Sequence, residues 1–232
     1  MDESEDYEYE DSHDDMGYQL HNEIDFSRIH TLLRSLALFD DVFLNMQAMN
    51  IAMIDRFATD QEYALLAEYN EIEKTPTQSA MFVSAISQMW IFSLYELLRT
   101  WRERIRKLIE AKKNGGLNYY IENHSREEMN LAAMIRADHA KKMKEDENFE
   151  KLLIAHKEKM DGVFRLAGTI RITLAKHELP GKNNKVPHMP GYARIDGFCG
   201  AMNFEITHAN NSFSFLSRRD IADALRAVNL DA

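Results

Sequence analysis

Cysteine is nearly missing from this chain: Cys199 is the only one in 232 residues. No internal disulfide can form, so a disulfide-stapled secreted scaffold is excluded and a reducing compartment, the cytosol, is the expected location. No basic segment followed by an apolar run stands after Met1, so no export signal is expected either. Proline is scarce too. Of four prolines, Pro180, Pro187 and Pro190 crowd into one stretch and Pro76 stands alone, which leaves long segments free to run as unbroken helix.

The familiar catalytic signatures are also missing. The nine histidines are scattered, with no pair four apart on a predicted helix and no Glu-x-x-His on one, so no zinc or di-iron centre is expected. There is no Gly-x-x-x-x-Gly-Lys loop, no strand-linked Gly-x-Gly-x-x-Gly and no Gly-x-Ser-x-Gly. Kinase, dehydrogenase and hydrolase chemistry of those kinds is set aside, and no cofactor is expected. Cys199 lies in a turn between Gly197 and Gly200 with no base identified beside it, a poor setting for a nucleophile.

The formal net charge is −10, but it is concentrated at one end. Residues 1–25 hold 11 Asp or Glu and no Lys or Arg, leaving 27 acidic against 28 basic residues in the remainder. The body, 26–232, is therefore nearly neutral and reads as one domain. The acidic segment 1–25 reads as a disordered tail, because so few aliphatic residues cannot offset the entropy of ordering. It serves as a solubilising tail or, on a sharper reading, as a decoy for a basic surface.

What is abundant is helical periodicity. Apolar residues from Ile29 to Phe57 recur at steps of three, four or seven, which predicts one long helix from Phe26 to Phe57 and a shorter one over 60–74. Thr75-Pro76 opens a helix to about Lys113, apolar in nearly every direction between Met81 and Leu98. Ser84, Ser87, Gln88, Ser93, Tyr95 and Glu96 make that run too polar for a clean membrane span, so a buried central helix is expected, with no membrane. Arg99, Arg102 and Arg106 then recur beside Glu96, Glu103 and Glu110, as a solvated face or as a phosphate-contacting ridge.

Asn114-Gly115-Gly116 stops the helix, 117–124 reads as irregular, and Ser125 to Glu128 reads as a capping box opening a helix to about Lys144. A further helix spans Phe149 to Ala175, with His156 on its apolar face as a hydrogen-bonded core residue. Gly162 and Gly168 are expected where another helix approaches closely. After the basic, proline-rich stretch 180–191, residues 192–196 and 201–207 predict a small hairpin. Ser217 to Asp220 caps a last helix over about 217–229. The fold class is mainly all-α: a multi-helix up-down bundle with a small C-terminal β-hairpin and a terminal helix.

One stretch carries chemistry. Ile170 to Glu178 runs into Leu179-Pro180, which ends the helix by Leu179 and sets Arg171 and His177 near that end. A histidine can move a ribose 2′-hydroxyl proton near neutral pH, and an arginine can hold a phosphate by two hydrogen bonds. Together they suffice for metal-independent RNA cleavage. Six steps of 100° place the two side chains about 120° apart on a regular helix, so they converge only if the helix loosens. Alternatively both satisfy carbonyls at a helix C-terminus. Lys176, Lys182, Lys185 and Arg194 add positive charge nearby in sequence.

Arg171-Ile-Thr-Leu-Ala-Lys-His177 resembles the Arg-x(4 to 6)-His motif of HEPN domains, and 171–180 with 191–196 is similar to uncharacterised bacterial proteins associated with that superfamily. The resemblance implies a helical homodimer with the motif at or near its interface, and Arg171 and His177 as the catalytic pair. Many members are ribonucleases of toxin-antitoxin or other defence systems, so an antitoxin partner is also implied. Others are inactive. Ile172 stands where active members often carry asparagine. The alternative function is a non-catalytic helical dimerisation or interaction protein, using the Met- and Phe-rich helices.

Overall fold

The computed structural model describes residues 17–126, 129–176, 189, 191–208 and 212–230. It is a helical bundle with a small sheet near the C-terminus, the fold class expected. Its helices are α1 (Ser27–Ser35), α2 (Val42–Ile72), α3 (Thr77–Lys113), α4 (Leu117–Ser125), α5 (Leu131–Glu145), α6 (Glu147–Lys159), α7 (Asp161–Lys176) and α8 (Arg218–Ala227). Between α7 and α8 come β1 (Ala193–Ile195), β2 (Met202–Thr207) and β3 (Phe213–Leu216).

α3 is the centre, as its sequence predicts. Trp90, Ile91, Leu94, Leu97, Leu98, Trp101 and Ile105 are all buried, and α2, α7, α8 and β2 pack around them. Each indole stays satisfied: Trp90 donates to the Ile51 carbonyl (2.9 Å) and Trp101 to the Ala37 carbonyl (2.8 Å). α3 ends where predicted, with Gly115 at φ 68° and the Gly116 N–H donating to the Ala111 carbonyl at 2.7 Å.

Other boundaries differ from expectation, each for a local reason. The predicted helix from Phe26 to Phe57 breaks at Leu36, because Asp41 accepts from the Phe43 and Leu44 N–H groups and starts α2 afresh. α2 then runs unbroken through Phe57 to Ile72, since no glycine or proline interrupts it. Residues 117–125 are helical rather than irregular. Ser125 ends α4, and Asn130 caps α5 by accepting from Ala133 N–H (3.0 Å). The helix predicted from Phe149 to Ala175 is two, α6 and α7, separated at Met160.

The hairpin extends into a three-stranded antiparallel sheet ordered β1-β2-β3, with Arg194 opposite Asn203 and Glu205 opposite Phe215. In the β1–β2 turn Asp196 accepts from the Phe198 and Cys199 N–H groups. Gly200 sits at φ 74° against α2, where a Cβ would fall 1.9 Å from the Glu62 carbonyl oxygen. Cys199 is buried in this turn, and its burial raises the thiol pKa, against any nucleophilic role.

Two features were not foreseen. Residues from Tyr18 onward, expected in a mobile tail, are docked. Tyr18 Oη donates to Asp220 (2.7 Å), the Gln19 carbonyl accepts from Tyr63 Oη and Arg219 (both 3.0 Å), and Ile24 is buried. Residues 1–16 lie outside the described residues. The second is a buried ionic cluster between α2 and α8. Arg218 donates to Glu62 through Nε (2.8 Å) and Nη2 (2.6 Å) and also bonds Asp55 and Thr59, all four residues being fully buried. Arg226 pairs with the other Asp55 oxygen. Burial opposes the Arg218 charge, but Glu62 and Asp55 outweigh it and hold its pKa above the ordinary value.

Candidate nucleic-acid interface at the end of α7

α7 meets α3 along a line of residues at i, i+4 and i+7: Phe164, Gly168 and Arg171. Gly168 makes the approach feasible, since a Cβ there would already lie 3.3 Å from Tyr95. Tyr95 uses that room to stack on Phe164, with ring centroids 5.2 Å apart. The outer faces of the two rings are taken by arginines. Arg102 lies 4.4 Å from the Phe164 centroid and pairs with Asp161, while Arg171 lies 5.1 Å from the Tyr95 centroid.

Arg171 is therefore braced rather than loose. Its side chain is 30% exposed, and Glu96, the nearest carboxylate among the described residues, is 3.8 Å away, beyond a good hydrogen bond. Glu96 also pairs with Arg99 at 2.6 Å, so its charge is shared. Ile170, Thr173 and Leu174 are buried and fix the roll of α7, and Ile172 is half-buried. Tyr95 and Glu96 are the site neighbours that sequence reasoning missed. They stand about 75 residues before Arg171, and only the glycine at 168 hinted at a close helix contact.

The remaining sequence-predicted residues fall elsewhere. Lys176 is the last residue of α7. His177, Lys182 and Lys185 lie outside the described residues. Arg194 is in β1, 5.3 Å from the Phe215 centroid and 5.8 Å from that of Tyr192, and makes no ion pair among the described residues. Arg171 and Arg194 thus belong to two aromatic settings, one on α3 and one in the sheet.

The arginines of α3 are paired. Arg99 bonds Glu96 and Arg106 bonds Glu103 and Glu110; hydrogen bonding to Arg106 draws the Glu103 carboxyl down to about 2. That favours the solvated face over a phosphate ridge. His156 is the core residue expected: buried, it accepts at Nδ1 from the Ala37 N–H at 2.9 Å. Gly168 meets a neighbouring helix as predicted, but among the described residues nothing lies within 4 Å of a Cβ at Gly162. Among the described residues no three His, Cys, Asp or Glu side chains converge as a metal centre needs.

Compared with protein-family models, curated proteins and solved structures, the chain matches none. The class the fold defines is a mainly α-helical bundle carrying a three-stranded antiparallel sheet.

Proposed function

We propose that the chain is a HEPN-like RNA-binding protein of a toxin-antitoxin or defence system, with metal-independent endoribonuclease activity at the end of α7. In this reading Arg171 holds the scissile phosphate, and His177 takes the ribose 2′-hydroxyl proton as that oxygen attacks phosphorus. The bond to the 5′-oxygen breaks, that oxygen takes up a proton, and a cyclic phosphate remains. Lys176, Lys182, Lys185 and Arg194 attract the RNA backbone.

The observation that supports the reading is the setting of Arg171. Its guanidinium is partly exposed, held over Tyr95 so that little side-chain entropy remains to be lost, and opposed among the described residues only by a shared carboxylate at 3.8 Å. A phosphate can replace that contact with two charge-assisted hydrogen bonds. The test is purified protein incubated with single-stranded RNA in a chelator. Cleavage is expected, with His177→Ala lowering the rate by about 100-fold or more and Arg171→Ala weakening both binding and rate. Undiminished cleavage by His177→Ala, or no RNA binding by the wild type, overturns the proposal.

A further inference from the structure

α2 and α3 each have two apolar sides. Along α2, Val42, Met46, Met49, Met53 and Phe57 follow one another at steps of three and four, and all are exposed. The buried line of Leu44, Ala48, Ile51, Asp55 and Ala58 lies about 180° around the same helix at 100° per residue. Along α3, Met81, Phe82 and Met89 are exposed, about 150° from the buried line through Val83, Ser87, Trp90 and Leu94. An ordinary surface helix has one apolar side and one charged side. Here 42–54 and 77–95 contain no charged residue at all.

The patch is large. Ten of its side chains are between 41% and 69% exposed. Taking about 200 Å² for a whole large side chain, they offer roughly 1,000 Å² of apolar surface. The largest apolar patch of a typical monomer is about 300–600 Å², and a standard interface covers about 800 Å² per partner. Only 39% of the most apolar window of α3 is buried within the chain.

The surface is also shaped to receive a copy of itself. Met89 and Phe92 form a ridge between two grooves. One, of about 550 Å³, is lined by Asn50, Ile54 and Phe57 across from Ile86 and Met89, and ends at Glu96. The other, of about 670 Å³, lies between α3 and residues Gly191, Tyr192 and Met202. A ridge beside a groove on one face is what a two-fold axis requires, because each copy then supplies the ridge and the groove the other needs. Gln47, Asn50 and Gln88 line these grooves, and an amide both donates and accepts, so the same side chain can meet its symmetry mate.

From these observations we infer that the uncharged α2/α3 face is the surface through which two copies of the chain pair, ridge into groove, about a two-fold axis. A bilayer fits less well. Helices that lie on membranes carry Lys and Arg beside the apolar side, whereas 55–74 of α2 and its end hold six carboxylates against Arg56 and Lys74. The inference does not rest on RNA binding: it is argued from the apolar surface of α2 and α3, one groove of which ends at Glu96, the carboxylate 3.8 Å from Arg171.

The test is the mass of the full chain in solution by light scattering, for the wild type and for Met53→Glu/Met89→Glu. Both methionines are about two-thirds exposed, so folding should survive, which circular dichroism checks. The wild type should run near twice its 27.0 kDa chain mass at micromolar concentration. The double variant should be monomeric, its self-association weakened by at least about 100-fold, since charges would be buried unpaired. Tyr119→Glu, at an exposed site on α4, should leave the dimer intact. A monomeric wild type overturns the inference, as does a dimer that persists in the double variant. So does a monomeric wild type that binds neutral phosphatidylcholine vesicles and loses that binding in the double variant.

Discussion

From Val42 to Ile54 the outer side of α2 is apolar and open to water, while from Asp55 to Glu62 its inner side is charged and closed to it. One helix thus holds both inversions of the usual rule that apolar groups go inside and charges outside. The charged stretch is answered within the chain. Asp55 and Glu62 meet Arg218 and Arg226 across more than 150 residues of sequence, and only two nitrogens of the α8 arginines, Arg219 Nη1 and Arg226 Nε, are buried without a partner among the described residues. The apolar stretch has no such answer among the described residues. Buried charge demands an internal partner because leaving it unpaired is so costly. Exposed apolar surface can be completed by another copy.

The largest expected effect comes from breaking the charged side. Arg218→Met removes the cation and leaves Asp55 and Glu62 buried, so urea unfolding should show a loss of about 3–5 kcal/mol. A loss below about 1 kcal/mol would mean that water or Arg226 replaces the guanidinium and that the cluster is not the tie between α2 and α8.

A smaller effect probes a neutral polar group answered inside the chain in the same way. His156→Ala removes the acceptor for the Ala37 N–H and should cost about 1–3 kcal/mol. The residue also sets a pH dependence. Burial lowers its pKa below the ordinary 6.5, so the unfolded chain takes up the proton more readily than the folded one. The contribution of His156 is complete above that ordinary value and declines as pH falls through it towards the lower folded value. Wild type should lose stability on acidification more steeply than His156→Ala, measured as urea midpoints across that window.

The smallest effect on folding is expected at the apolar side. Met53→Glu should change monomer stability by no more than about 0.5 kcal/mol, because the side chain is two-thirds exposed. Its consequence is for association alone. A large loss of monomer stability would place Met53 in the core and remove the contrast between the two stretches.

How far the sequence speaks follows the same contrast. α3 was legible because its apolar residues run all round and Thr75-Pro76 and Asn114-Gly115-Gly116 punctuate both ends. The break before α2 was hidden by periodicity that continues across it, with Asp41 as the only local sign. The turn at Met160 was hidden in the same way, between α6 and α7, which share one apolar pattern. β3 is four residues of alternation, too short to stand out. The capping box at Ser217 was legible because it is local, with Asp220 bonding back to the Ser217 N–H and hydroxyl. The burial of the neighbouring Arg218 was not, since its partners are remote in sequence and charge is read as surface by default. Arg171 was found from its spacing to His177; its brace on Tyr95 required the packing of α7 on α3.

The exposed methionines give the most direct measurement of the central claim, that the outer side of α2 and α3 is covered by a second copy. Peroxide converts an accessible methionine to its sulfoxide, and mass spectrometry resolves each position. Met53, Met81 and Met89 are each about two-thirds exposed in the single chain, and Met129, outside the patch, is 98% exposed. Oxidation of Met53, Met81 and Met89 should slow as protein concentration rises, while Met129 oxidises at one rate throughout. Equal, concentration-independent oxidation at all four would contradict the account.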